Sequence, residues 1–204
     1  MTGPLSRWVE RLRVRPQVAH ALAEENPSQA VRGASFPAAT VGEILHVTEV
    51  DDADFFIGDL FRRRFKTAVV PDFPRHFVAF YRNPPASVVL PMGYVHFTPW
   101  EGCHLCGGLV IDERRWRDLP APHRGLIRGS GGVAEYMLRQ AIGRVLPESI
   151  AVWGRVGDRL AEKVDLRVGF VHTGRPYLMV IWNHALSEEQ RAEWVRRAEA
   201  LGDF

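Results

Sequence analysis

A cluster of glycines in the middle of the chain carries the clearest chemical signal. The run Arg128-Gly129-Ser130-Gly131-Gly132-Val133 precedes residues 134–144, whose pattern predicts a helix. The first backbone N–H groups of a helix have no acceptor within the helix, and glycines let a phosphate approach them without a Cβ in the way. The run therefore predicts a phosphate-binding turn at a helix start.

The elements around this cluster must position it. The predicted strands are residues 43–50, 76–82, 88–98, 102–112, 149–155, a segment across Phe170, and 177–182. The predicted helices are residues 52–65, 134–144, 158–166 and an amphipathic helix that begins after Ser187. Residues 83–85 predict the turn of an antiparallel hairpin, and the arginine- and proline-rich residues 113–127 predict a surface excursion.

The N-terminal residues differ in pattern from the rest of the chain. Residues 5–25 predict two short amphipathic helical pieces interrupted by Pro16, and residues 26–40 are rich in Pro, Ser, Gly and Ala, as linkers are. We therefore expect an N-terminal helical arm and linker over residues 1–40 and one folded domain over residues 41–204.

The charge balance argues against several classes of partner. The 204 residues include 26 basic and 24 acidic ones, for a net charge of +2, and no basic stripe is evident. The densest basic run, Arg62-Arg63-Arg64, is typical of a solvated helix C-terminus. No apolar run approaches the ~20 residues that cross a bilayer. We expect a soluble, cytoplasmic protein with no nucleic-acid and no membrane partner.

The two cysteines, Cys103 and Cys106, lie three residues apart. This spacing suits zinc or redox chemistry, but a zinc site needs two further ligands at similar spacing, and His96 alone does not supply them. Residues three apart in a strand point to opposite faces of the sheet. The pair therefore predicts packing residues in a reducing compartment, and we expect no metal.

The order of elements and two motifs resemble the GNAT (Gcn5-related) N-acetyltransferase superfamily over roughly residues 43–183. The family's glycine signature is matched by the run that begins at Arg128, with Val133 in the last slot, where the family has Gly or Ala. A second family element is matched by Asp158, Ala161 and the pair Gly169-Phe170. Asp165 stands where the family has a tyrosine that often protonates the departing thiolate.

The resemblance implies an α+β fold: a mixed, mostly antiparallel central sheet, splayed between strands 4 and 5, with helices on both faces. It also implies direct transfer of an acetyl group from acetyl-CoA to an amine. Leu109, Val110 and Ile111 would offer backbone contacts to pantetheine. The diphosphate would be held by Arg128 and the N–H groups of Gly129, Ser130, Gly131, Gly132 and Val133, and Asp158 joins the predicted cofactor-binding set.

The resemblance also places the general base near the start of the fourth strand, where Glu101 and His104 stand. A histidine titrates near neutrality without perturbation, whereas a glutamate would need burial to raise its pKa. His96, on the neighbouring strand, is a further candidate.

Two other functions remain open. Asp165 and Val133 also suit a catalytically inactive CoA-binding or interaction module of the same fold. The glycine turn alone would also suit a dinucleotide-dependent oxidoreductase, but such a turn directly follows a strand, and Pro120 and Pro122 argue against a strand here. The acceptor is expected to be a small-molecule or peptide amine of unknown identity, and a homodimer is possible.

Overall fold

The computed structural model describes residues 40–66, 69–72, 74–83 and 88–204. The predicted N-terminal arm and nearly all of its linker lie outside the described residues, as does most of the predicted hairpin turn. The described residues belong to one compact unit. Among them, no helix has the length and apolar character that a membrane crossing requires.

Seven strands form one sheet in the order β1-β2-β3-β4-β5-β7-β6. Their bounds are β1 Leu45–Val50, β2 Arg75–Asn83, β3 Val88–Trp100, β4 Cys103–Ile111, β5 Ala151–Arg155, β6 Val171–His172 and β7 Leu178–Trp182. Every neighbouring pair is antiparallel except β4 and β5, which are parallel. The predicted hairpin of β2 and β3 is confirmed.

The helices cover both faces of this sheet. Their bounds are α1 Val41–Ile44, α2 Ala53–Phe65, α3 Glu113–Asp118, α4 Ala121–Gly129, α5 Gly132–Val145, α6 Arg159–Val168 and α7 Glu188–Ala200. Consecutive strand residues point to opposite faces, and Phe77 packs with the α5 cluster whereas Val78 packs with α2. The predicted mixed α+β fold is therefore confirmed.

The predicted surface excursion at residues 113–127 is wrong in one respect: this segment is helical. Asp112 caps α3 by accepting hydrogen bonds from the backbone N–H groups of Arg114 and Arg115. Pro120 and Pro122 flank the start of α4, where proline's fixed φ is compatible with a helix. The segment thus forms two short helices between β4 and α5.

Candidate functional site

The parallel strands β4 and β5 stay together for only three residue pairs. His104 pairs with Val152, Leu105 with Trp153 and Cys106 with Gly154. Beyond Cys106, no described strand pairs with the β5-facing edge of β4. The backbone groups of residues 107–111 on that edge are therefore available to a ligand. We call the point after Cys106 the fork.

A β-bulge lies on β4 just beyond the fork. His96 of β3 pairs with Gly107, but Tyr94 pairs with Val110, so β4 carries one extra residue here. Gly108 has φ +64°, and a Cβ at that position would lie 2.5 Å from Nδ1 of His96. Both the backbone conformation and the close approach of the imidazole require glycine.

The glycine turn holds the start of α5, and Gly131 is its N-cap with φ +95°. The N–H of Ser130 donates to the carbonyls of Leu126 and Ile127, and the N–H of Gly131 donates to that of Arg128. Gly129 is the last residue of α4. Because two of these N–H groups are engaged in the turn and Gly129 ends a helix, the geometry favours the later members of the predicted set, Gly132 and Val133, as donors to a diphosphate.

The free amides instead belong to the first turn of α5. Helix geometry leaves the N–H groups of Gly132, Val133 and Ala134 without intrahelical acceptors, and the N-cap supplies no side-chain acceptor. The Glu135 carboxylate folds back against Gly131, where a Cβ would lie 2.3 Å from it. Arg139 donates to that carboxylate at 2.9 Å, so it is neutralised within the protein.

A cavity of about 800 Å³ joins the open edge of β4 to this helix start. Eight of the ten predicted cofactor-binding residues line it: Leu109, Val110, Ile111, Arg128, Gly131, Gly132, Val133 and Asp158. Gly129 and Ser130 line a separate cavity beside α4. Asp158 caps α6 and accepts hydrogen bonds from the N–H groups of Leu160 and Ala161, which lower the pKa of its carboxyl.

These features occur in one order along the chain and in space. A parallel strand pair opens at the fork, and a cavity joins the following β4 residues 109–111 to a glycine turn at a helix start. The fold is GNAT-like.

No protein-family profile matches the chain, and no curated protein is significantly similar to it in sequence. Several solved structures are similar. The KacTA–DNA complex has 13% identity over 75% of this chain and 99% of that one, with a TM-score of 0.46. AtaTR bound with AcCoA has 13% identity over 75% of this chain and 99% of that one, with a TM-score of 0.44. A cAMP-binding acyltransferase from Mycobacterium smegmatis has 14% identity over 75% of this chain and 50% of that one, with a TM-score of 0.40.

Arginines from three helices, α2, α3 and α4, line the cavity. Arg128 was among the predicted residues. The other four arginines that line the cavity were not predicted: Arg63, Arg64, Arg114 and Arg117. Arg63 is paired with Asp112 at 3.2 Å. Among the described residues, no carboxylate lies within ion-pair distance of the other four guanidinium groups. The run at residues 62–64 is the available signal in the sequence, although its pattern is equally typical of a solvated helix end.

The structure does not bring the two predicted bases to the cavity. Glu101 lies in the β3–β4 turn with φ +49° and is paired with Arg197 of α7. Nδ1 of His104 is hydrogen-bonded to Oγ of Ser149 at 2.7 Å, within the paired part of β4. At about 3.3 Å per residue, Glu101 is some 20 Å along the strand from Gly107. The assignment of either residue as the base stays a prediction.

Asp165 of α6 is a buried carboxyl near the fork. Its side chain acts electrostatically on Cys106, the last β4 residue that pairs with β5. Burial raises the pKa of Asp165 to about 7. The group therefore exchanges a proton in the neutral range, unlike an exposed aspartate.

The two cysteines pack on opposite faces of the sheet. Cys103 lies in the cluster under α7, and Cys106 packs against the cluster under α5. Both are free thiols. In the part of the chain that the structure describes, no group of three or more His, Cys, Asp or Glu side chains has the arrangement of a metal site.

Proposed function

We propose that the protein is an acyl-CoA-dependent N-acyltransferase that moves an acetyl group from acetyl-CoA to an amine. The observation that supports this most directly is the cavity that joins β4 residues 109–111, beyond the fork, to the first turn of α5. Its two ends differ in chemistry: one offers unpaired strand backbone, and the other offers free amides and arginines. Acetyl-CoA has two corresponding ends, an amide-containing tail and a phosphorylated nucleotide.

The phosphate end is supported by two independent features. The N–H groups of Gly132, Val133 and Ala134 point out of the positive end of α5, where anions are stabilised. Arg128 stacks over the ring of Trp116 at 5.5 Å, which fixes the direction of its guanidinium group. Guanidinium groups suit phosphate oxygens because they donate two parallel hydrogen bonds.

The reaction itself needs orientation and two proton movements. The amine nitrogen forms a bond to the thioester carbonyl carbon, the C–S bond breaks, and the electron pair leaves with sulfur. Asp165 protonates this thiolate, and a base accepts the proton that the amine loses. The proximity of Asp165 to Cys106 at the fork and its burial support this role.

The other interpretations of the sequence fit less well. The sheet has one parallel strand pair, and the glycine turn follows helix α4, whereas a dinucleotide fold needs parallel βαβ units with the turn directly after a strand. A catalytically inactive CoA-binding module would retain the cavity and lack turnover.

Calorimetric titration with CoA, acetyl-CoA and NAD⁺, combined with thiol release from acetyl-CoA in the presence of amines, tests the proposal. We expect micromolar CoA binding, no heat with NAD⁺, and amine-dependent thiol release. Binding without turnover on any amine would identify the inactive module, and absence of CoA binding would remove both.

Matched arginine variants locate the binding site. Arg128→Ala should weaken CoA binding about 10- to 150-fold, because a charge-assisted contact to phosphate contributes about 1.5–3 kcal/mol. Arg82, an exposed residue of β2, is the control, and Arg82→Ala should leave binding unchanged. Equal effects of the two variants would mean that the phosphates bind elsewhere.

A further inference from the structure

A chain of three buried polar side chains crosses the sheet on the face covered by α2. Nδ1 of His76 lies 2.8 Å from the hydroxyl of Tyr94, and that hydroxyl lies 3.2 Å from Nδ1 of His96. His76, Tyr94 and His96 are 3%, 0% and 8% exposed. A network of this kind inside a core is costly unless each member is satisfied, so its presence needs an explanation.

The chain ends beside the fork. His96 pairs with Gly107, the first residue of β4 beyond the last β4–β5 pair. A Cβ at Gly107 would lie 2.9 Å from Nε2 of His96, so the imidazole lies directly on the β4 backbone. Phe61 of α2 covers the ring near Gly108, and the main chain of Phe204 lies over Gly107.

Nε2 of His96 is the free end of the chain. It makes no hydrogen bond to a described residue. The His96 side chain is 8% exposed, so the protein does not enclose it completely.

We propose that His96 is the catalytic base of the acyl transfer and that Tyr94 and His76 position it through this hydrogen-bonded chain. The proposal rests on the acyltransferase function proposed above and names the base for it. It replaces Glu101 and His104 in that role.

The proposal assigns the basic nitrogen from the hydrogen bonds of the chain. The Tyr94 hydroxyl has one proton, so it donates to one histidine and accepts from the other. We assign its proton to the shorter contact, with His76, so that His76 Nδ1 accepts and His96 Nδ1–H donates. Neutral His96 then carries its lone pair on Nε2, the atom that faces Gly107.

The step balances without a further reactant. The amine attacks the thioester carbon, and its proton passes to Nε2 of His96. The C–S bond breaks and the thiolate takes a proton from Asp165, so the products are the amide and free CoA. Afterwards His96 carries one extra proton and Asp165 lacks one, and exchange with water restores both.

The hydrogen-bonded chain lowers the free-energy cost of placing a positive charge on His96. Burial, with a smaller contribution from His76, lowers the pKa of His96 to about 4, so the ring is neutral at pH 7 but resists a full positive charge. Burial also lowers the pKa of His76, but Asp72 and Glu49 oppose this shift, so a positive charge that reaches His76 through Tyr94 is partly compensated. The carboxyl group of Phe204 is a further titratable group near His96, because its carbon and one of its oxygens would lie 3.2 Å from a Cβ at Gly107.

The test uses hydroxylamine as the acceptor, because this small amine needs no acceptor pocket. Transfer from acetyl-CoA is followed as the hydroxamate, with the uncatalysed rate subtracted. His96→Gln should lower kcat about 100-fold or more, which is the usual contribution of a general base, and should leave CoA affinity within twofold. Tyr94→Phe keeps the ring packing and should lower kcat about tenfold. His46→Asn, at an exposed strand histidine, is the control.

Nitrogen NMR of the ¹⁵N-histidine-labelled protein gives a readout that needs no turnover. We expect His96 as the Nδ1–H tautomer, and we expect Tyr94→Phe to shift the Nδ1 signals of both His96 and His76. An Nε2–H tautomer of His96 in the wild type would overturn the proposal, as would folded His96→Gln protein with wild-type kcat. If the wild type neither binds CoA nor transfers an acetyl group, the proposed acyltransferase function is wrong. The NMR experiment still tests the hydrogen-bonded chain in that case.

Discussion

Phe170 packs its ring against Gly154, the β5 residue at the last pair before the fork. A Cβ at position 154 would lie 3.0 Å from Cε1 of Phe170. Gly154 pairs with Cys106, so this contact occurs where the parallel strands part. The buried phenylalanine therefore fills the core beneath the closed end of the gap and fixes the position of β5 there.

Cys106 offers a native probe of the fork. Its thiol is partly buried, and both burial and the neighbouring Asp165 raise its pKa, so the reactive thiolate is scarce at neutral pH. We expect slow alkylation by iodoacetamide and a further severalfold slowing at saturating CoA, measured by mass spectrometry. Cys106→Ser leaves the buried Cys103 as the background. A rate indifferent to CoA would show that the ligand does not reach the fork.

The arginines at the cavity mouth should make cofactor binding sensitive to salt. Arg114 and Arg117 lie in α3, line the cavity and pair with no described carboxylate. We expect the double variant Arg114→Ala/Arg117→Ala to weaken CoA binding about tenfold. Its affinity should also fall less steeply between about 50 and 500 mM salt, because the variant lacks two partly screened positive charges. Calorimetry at several ionic strengths measures both effects. An unchanged salt dependence would place the phosphates away from α3.

The main features of the fold could be predicted because local patterns carry them. Asp52 and Ser187 cap α2 and α7, whose positions the sequence predicts, and the fork lies within the fourth strand. The glycine turn precedes a helix as expected, and two of the five N–H groups predicted to bind the diphosphate, those of Gly132 and Val133, belong to the first turn of α5. Composition alone does not show that α4 runs up to Gly129 and uses the amides that follow it.

The parts of the site that were missed depend on long-range contacts. The arginines of α2 and α3 are about 50 residues apart in sequence and meet because both helices lie at the open end of β4. His76 and His96 become neighbours through the register of β2 and β3, which pairs them directly. A single sequence specifies alternation along each strand, but not the register between strands that brings such side chains together.

Alanine substitutions at two glycines should change the stability of the protein in opposite directions. Gly108→Ala should lower the free energy of unfolding by about 2–3 kcal/mol, because φ is positive and the new Cβ would overlap His96. Gly143 lies on the exposed face of α5, where an added Cβ would meet no atom within 4 Å, so Gly143→Ala should add about 0.5–1 kcal/mol. Urea unfolding measures both. Similar values for the two variants would contradict the packing of His96 on the bulge.

Asp165→Asn should stabilise the protein while lowering its activity. Burial raises the pKa of Asp165 from 3.8 to about 7, so the folded protein binds the proton more tightly than the unfolded chain. The sign follows from linkage: this group makes stability fall as pH rises from about 4 to about 7, and its effect is constant above that. Three pKa units correspond to at most about 4 kcal/mol. The variant should therefore match wild type near pH 4 and exceed it at pH 8.

The same substitution removes the proposed acid, since an amide cannot protonate the thiolate. We expect kcat for acetyl transfer to fall about 100-fold while CoA affinity changes less than threefold. Urea unfolding at several pH values, combined with thiol-release kinetics, measures both effects, and Asp118→Asn at the exposed end of α3 is the control. Loss of activity together with loss of stability would indicate a structural role. Gain of stability with loss of activity is the pattern of a buried acid kept for catalysis, because stability alone would favour its replacement.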